Sequence, residues 1–182
     1  MSSELAPGFL VAMPQLEDNS FEHALILLLH HTEAGAMGIV VNKSLDLDLE
    51  EIASQHGIEQ AKASGSAFLG GPVEVFRGMV MHSGPSFGDD DTEIAEGLFI
   101  SGSVDVLTNL LRDADRNFRL FLGYSGWGPG QLDSELTQGS WLAANLDPDL
   151  IFNTPAEQAW EQILARMGID PATVLQGEGD VV

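Results

Sequence analysis

Apolar residues first gather into three short, β-branched runs, at residues 8–13, roughly 23–31 and roughly 36–41, separated by turn-rich pieces. Thr32-Glu33-Ala34-Gly35 joins the last two, and Gly35 can take the positive φ of a tight hairpin, so these runs are predicted antiparallel neighbours. They are apolar on successive residues rather than alternating, which predicts a sheet covered on both faces. A helix is predicted from Asp46, with acids in its first turn and Gly57 as its stop. Ala67-Phe68-Leu69, the turn Gly70-Gly71-Pro72 and a strand over about 73–83 follow, and then a solvated loop at 84–93.

A short strand at about 97–100 leads to a helix capped by Ser101 or Ser103 and running to about residue 115, with Val104, Leu107, Leu110 and Leu111 on its buried stripe. Residues 118–124 read as a strand, 129–137 as a short helix closed by Gly139, and 140–146 as a strand. Thr154 at N-cap, Pro155 at the first position and Glu157 form a capping box for a last helix that Gly168 ends. Residues 1–6 and 172–182 are expected to be flexible. With neither a repeat nor a dividing linker, residues 1–182 are expected to form one α+β domain, a meander followed by alternating helices and strands. A doubly wound fold is disfavoured, because the first three strands have no crossover helices.

Composition narrows the function classes. The 182 residues are 44% hydrophobic and carry 28 Asp and Glu against 7 Lys and Arg, a formal charge of −21. Each half holds 14 acids, with three and four bases respectively, so no basic arm hides behind the total. Such a field repels nucleic acid and anionic lipid, so neither is expected as a direct partner. The absence of cysteine excludes disulfides, thiolate metal sites and cysteine nucleophiles. No signal-peptide pattern follows Met1, and no apolar run is long enough to span a bilayer, so a cytoplasmic location is expected.

The densest block of candidate chemistry is Leu122-Gly123-Tyr124-Ser125-Gly126-Trp127-Gly128-Pro129-Gly130-Gln131. It imitates a dinucleotide-binding turn, with Asp147 about twenty residues on. Against this, Pro129 lacks an amide, Gln131 replaces the third glycine and Trp127 would crowd a pyrophosphate. A structural turn that packs Trp127 against the sheet is favoured. Ser125 is no nucleophile elbow, since Trp127 stands where glycine is needed and the last histidine is His82. His30-His31 and His82 are read as hydrogen-bonded histidines rather than metal ligands, because neighbours on a strand face opposite ways. No metal and no cofactor are expected. Arg77 is read as pairing with Glu74, and Arg112, Arg116 and Arg119 as compensating a helix C-terminus.

Several phrases together resemble the YqgE/AlgH family. They are residues 8–14 (Gly-Phe-Leu-Val-Ala-Met-Pro) with Asp18 and Phe21, residues 35–43 (Gly-Ala-Met-Gly-Ile-Val-Val-Asn-Lys), Gly70-Gly71-Pro72-Val73 with Arg77-Gly78 and His82, the block 123–132, Ser140-Trp141-Leu142, Ile151-Phe152 and Trp160. The resemblance implies an α+β fold in which a bent, mixed and largely antiparallel sheet forms a pseudo-barrel flanked by helices. It implies no established enzymatic activity, and it brings a label of transcriptional regulator that suits neither the charge nor the lack of a helix-turn-helix. The chain departs from the family at Ser125, where Ala is usual, and at Gly177-Glu178-Gly179, where relatives often end in Gly-His-Ala.

These readings favour a non-enzymatic protein that binds a macromolecule or small ligand, with any transcriptional effect indirect. The alternatives are a nucleotide- or small-ligand-binding enzyme using the 126–131 turn and, more weakly, a direct DNA-binding regulator. The candidate ligand patch comprises Asn42, Gly70, Gly71, Arg77, Gly126, Trp127 and Gln131, planar polar groups and glycine turns beside one apolar wall.

Overall fold

A computed structural model describes residues 5–14, 16, 21–113 and 115–172. Expectations about Asp18, residues 1–4 and the tail beyond residue 172 fall outside them. The first strands are β1 (Gly8–Ala12), β2 (Leu25–Thr32), β3 (Gly35–Val40) and β4 (Ser44–Asp48), followed by helix α1 (Leu49–Gln55). Next come β5 (Ser66–Leu69), β6 (Val73–His82), β7 (Thr92–Ala95), β8 (Leu98–Ser101) and α2 (Val104–Leu111). The chain continues through β9 (Phe118–Trp127), α3 (Gln131–Thr137), β10 (Trp141–Ala144), α4 (Asp149–Phe152) and α5 (Ala156–Arg166). The class is α+β with a mixed, largely antiparallel sheet, as the family resemblance implies; among the described residues the one parallel pair is β5 with β9.

Two compact units divide the chain, and β9 supplies residues to each. The first comprises Met1–Asn42 with Ser125–Val182. Its strands run β10-β1-β2-β3-β9, all antiparallel, with Leu10 opposite both Ala143 and Ile26. Every residue of β1 and the first four of β2 are buried. Leu10, Ala12, Ile26 and Leu28 form a core with Trp127, Trp141 and Leu132 of α3. Helix α5 covers β1, with Trp160 Nε1 donating to the Ala12 carbonyl at 2.7 Å. Covering on both faces explains why these strands are apolar throughout.

The second unit is Lys43–Tyr124. Here β6 lies between β9 and β8, β7 extends β8, and β5 joins β4 to the other side of β9. Ile52 and Ala53 of α1 and Val106, Leu107, Leu110 and Leu111 of α2 pack with Ala67, Val80 and Leu120 of the strands.

Several local expectations are corrected. Residues 46–48 are the end of β4 rather than a first helical turn, because Ser44–Asp48 alternate exposed and half-buried and pair with β5. The loop at 84–93 contains a 3-10 turn, Gly88–Asp90, and the start of β7, which pairs with β8. Helix α2 stops at Leu111, and Val104 is 59% exposed instead of lying on the buried stripe. Strand β9 extends to Trp127 because Ser125, Gly126 and Trp127 pair with β3. Helix α3 starts at Gln131 because Gly130 takes the left-handed conformation, φ 73°. The capping box does not form: Thr154 donates its hydroxyl to the Asp149 carbonyl at 3.0 Å, at the end of the unanticipated α4.

Candidate functional site

The glycine-rich block builds structure. Gly123 has φ 78°, and a Cβ there would stand 2.4 Å from the Gly71 carbonyl oxygen, so only glycine fits this crossing. Trp127 is buried and donates its indole N–H to Glu135 Oε1 at 3.1 Å; Trp141 donates to the same oxygen at 2.8 Å. Gln131 accepts from the Gly128 amide at 2.9 Å and donates to Glu135 Oε2 at 3.0 Å. Phe21 stacks on Trp127 and meets Trp141 edge-on. One carboxylate thus takes three donors and holds α3 against the sheet.

The other members of the candidate patch are placed as follows. Asn42 accepts from the Leu25 amide at 2.8 Å and donates to the His23 carbonyl at 2.9 Å, steadying His23 at φ 56°. Gly126 pairs with Met37 in the sheet. Gly70 donates its amide to Leu122 at 2.7 Å, and exposed Arg77 lies 3.9 Å from Glu74. Asn42, Gly126, Trp127 and Gln131 belong to the first unit, while Gly70, Gly71 and Arg77 belong to the second. Of the six glycines in the two motifs, Gly71, Gly123 and Gly130 have positive φ, while Gly70, Gly126 and Gly128 do not and so need no glycine on that ground.

The histidines and arginines have specific partners. His30 is exposed and His31 half-buried, 3.0 Å from Asp133. Among the described residues no three His, Asp or Glu side chains converge as a metal-ligand set. His82 is wholly buried between the rings of Phe87 and Phe99. Its Nδ1 accepts from the Gly84 amide at 3.1 Å and from Arg116 at 2.9 Å, which places the ring proton on Nε2, facing the Asp91 carboxylate. Of the arginine cluster, Arg112 stands at the C-cap of α2, while Arg116 and Arg119 lie beyond it in the chain. Arg112 donates to the Glu59 carbonyl, Arg116 lies over Phe87, and Arg119 lies over Phe68, where burial pushes its pKa down.

What the sequence reading missed is a cavity of about 230 Å³ within the Lys43–Tyr124 unit. Gly78 and Val80 of β6 and Leu120 and Leu122 of β9 line it, with Ile52 and His56 from the α1 side and Val104 and Leu107 from α2. The cavity originates in a jump of register. Val73 pairs with Tyr124 and Gly78 with Leu122, so residues 74–77 of β6 oppose only Gly123 and must loop outward. Glu74 in that bulge has φ 47°, a conformation disfavoured for a side-chain-bearing residue, and Phe76 is left 94% exposed while lining the cavity. The mid-strand Gly78 was the available signal, since a lone glycine in a strand marks a bulge or close approach.

The polar groups around the cavity serve the fold. Ser101 Oγ donates to the Asp90 carbonyl at 2.5 Å and accepts from the Ser103 amide. Ser103 caps α2 through the Asp105 and Val106 amides. His56 Nδ1 donates to the Ile52 carbonyl at 2.9 Å, leaving Nε2 as an acceptor.

The chain can be compared with known proteins on this geometry. It is 42% identical to a UPF0301 protein of Myxococcus xanthus over 96% of this chain and 97% of that protein, and 35% identical to one of Vibrio cholerae over 96% and 98%. The solution structure of the AlgH protein from Pseudomonas aeruginosa superposes with a TM-score of 0.76 at 32% identity, covering 96% of each chain. A Corynebacterium diphtheriae crystal structure superposes at 0.75 with 23% identity over 91% of this chain and 89% of that one, a likeness of fold. Since the AlgH-like family model matches residues 9–172, from β1 past the end of α5, the chain belongs to the AlgH-like family.

Proposed function

We propose that the protein is a non-enzymatic, cytoplasmic binding protein whose ligand enters the cavity of the Lys43–Tyr124 unit, any effect on transcription being indirect. One observation carries this reading. Among the described residues the exposed large hydrophobics are Val75, Phe76, Val104 and Met167; Phe76 and Val104 line this one cavity, and Val75 adjoins Phe76. Apolar side chains gathered in solvent around a concave site mark a binding surface, whereas single scattered ones need no explanation. The hydroxyls at its wall are engaged in capping and turn bonds, which favours binding over nucleophilic chemistry.

The reading through the 126–131 turn and its ligand patch has less support. The Gly128 amide, which a phosphate would need, is already bonded to Gln131, and the Asn42 amide group bridges two backbone positions.

Thermal unfolding with an uncharged apolar dye, N-phenyl-1-naphthylamine, tests the proposal. Binding to the native state raises the melting temperature by mass action, and dye fluorescence should rise in parallel. Phe76→Ser should weaken both effects. An unshifted transition without fluorescence enhancement defeats the proposal. In parallel, purified protein should give no sequence-selective mobility shift with duplex DNA at physiological salt.

A further inference from the structure

We infer that the cavity's occupant is one bulky apolar side chain presented by a Lys- and Arg-rich segment of a partner protein, an inference that rests on the binding reading above. Size supplies the first argument. At about 230 Å³ the cavity falls below the ~300–1,000 Å³ usual for cofactors and drug-sized ligands, so it suits a single side chain better than a nucleotide or an extended acyl chain. The rim supplies the second. Phe76 and Val104 stand in solvent beside the opening, where they can cover the residues flanking an inserted side chain.

Charge selects the partner. The unit holds fourteen Asp and Glu against six Lys and Arg. Of these cations, Arg112, Arg116 and Arg119 are engaged with a carbonyl, with His82 and with the Phe68 ring, and Arg77 lies 3.9 Å from Glu74. Exposed acids adjoin the lining residues in the chain: Glu51 precedes Ile52, Asp105 follows Val104, and Glu74 shares the bulge with Phe76. Among the described residues no Lys or Arg lines the cavity, and Arg77 stands between Phe76 and Gly78 in the chain, so a fatty acid or phosphate ester would bring its anion to a site whose nearest cation in the chain already faces an acid. A cationic segment is instead drawn in by the field of a chain carrying −21.

Anisotropy of short labelled peptides tests this. The probe peptide carries one Phe flanked by Lys and Arg; one control replaces Phe with Ala, and the other replaces the cations with Glu. The inference expects saturable binding of the first peptide, at least tenfold weaker binding of each control, and weakening with added salt. On the protein side, Gly78→Val should abolish binding: a Cβ at Gly78 makes only ordinary contacts with Leu120 and Leu122, at 3.5 and 3.6 Å, so the branched side chain fills the cavity from its floor. Phe76→Ser changes a solvent-exposed side chain and carries the test if Gly78→Val fails to fold. Equal binding of the acidic peptide, or full binding by a folded Gly78→Val or by Phe76→Ser, overturns the inference. Binding of N-phenyl-1-naphthylamine, lost in Gly78→Val, with no binding of the basic peptide defeats the peptide inference alone; no binding of either probe defeats the cavity reading as well.

Discussion

His82 Nε2 lies 2.9 Å from Asp91 Oδ2, and both side chains are completely shut off from solvent. Asp91 also accepts from the Phe87 amide at 2.6 Å, so one carboxylate joins the end of β6 to the segment that returns as β7. Replacing Asp91 with Ala would strand the His82 N–H and the Phe87 amide in an apolar setting. The expected loss is about 3–5 kcal/mol, with Asp91→Asn losing less because an acceptor oxygen remains. Urea denaturation of the two variants measures the difference, and a near-neutral Asp91→Ala would contradict it.

Glu135 is expected to be nearly as costly to remove. Its Oε1 serves two buried indoles, so Glu135→Ala leaves both N–H groups without an acceptor, at about 1–3 kcal/mol for each. Tryptophan fluorescence should follow the earlier transition directly, since Trp127 and Trp141 are two of the chain's three tryptophans.

Two glycines with nearly the same φ should respond differently to Ala. Gly123 (φ 78°) has a backbone oxygen 2.4 Å from where Cβ would be, whereas Gly130 (φ 73°) has nothing within 4 Å. Gly130→Ala should cost about 1 kcal/mol from left-handed strain alone. Gly123→Ala adds overpacking against backbone and should cost about 2–5 kcal/mol. Equal shifts in denaturation midpoint would refute the close crossing.

Tyr124 is the chain's single tyrosine, so phenolate absorbance reports it alone. Its hydrogen bond to Glu74 raises its pKa above the usual value of about 10, with burial and the Glu74 charge adding to the rise. Glu74→Gln should bring the titration back down. Because the folded-state pKa is the higher one, the bond's contribution is fully present below the unfolded value and is lost as pH rises through the folded value. A titration unchanged in Glu74→Gln would contradict a hydrogen bond between Tyr124 and Glu74.

Much of the first unit is legible from local pattern. The apolar runs of β1 to β3 announce strands buried on both faces before any fold is known. The structural character of the 122–131 block can also be read, because Pro129, Gln131 and Trp127 each oppose a phosphate turn. These inferences succeed because periodicity and backbone stereochemistry are properties of neighbouring residues.

Tertiary structure decided the remainder, through competition among distant partners. Thr154 had the spacing of a cap, but the Asp149 carbonyl took its hydroxyl. Asp91 read as one of three solvated aspartates until β7 paired with β8 and set its carboxylate against His82. Phe76 read as a strand residue, yet whether it is buried or presented to solvent depended on how β6 registers with β9. A pairing frame that passes from Val73–Tyr124 to Gly78–Leu122 is fixed by contacts between segments some fifty residues apart. No local pattern encodes that frame, because a change of register alters which face a side chain meets without altering the sequence around it.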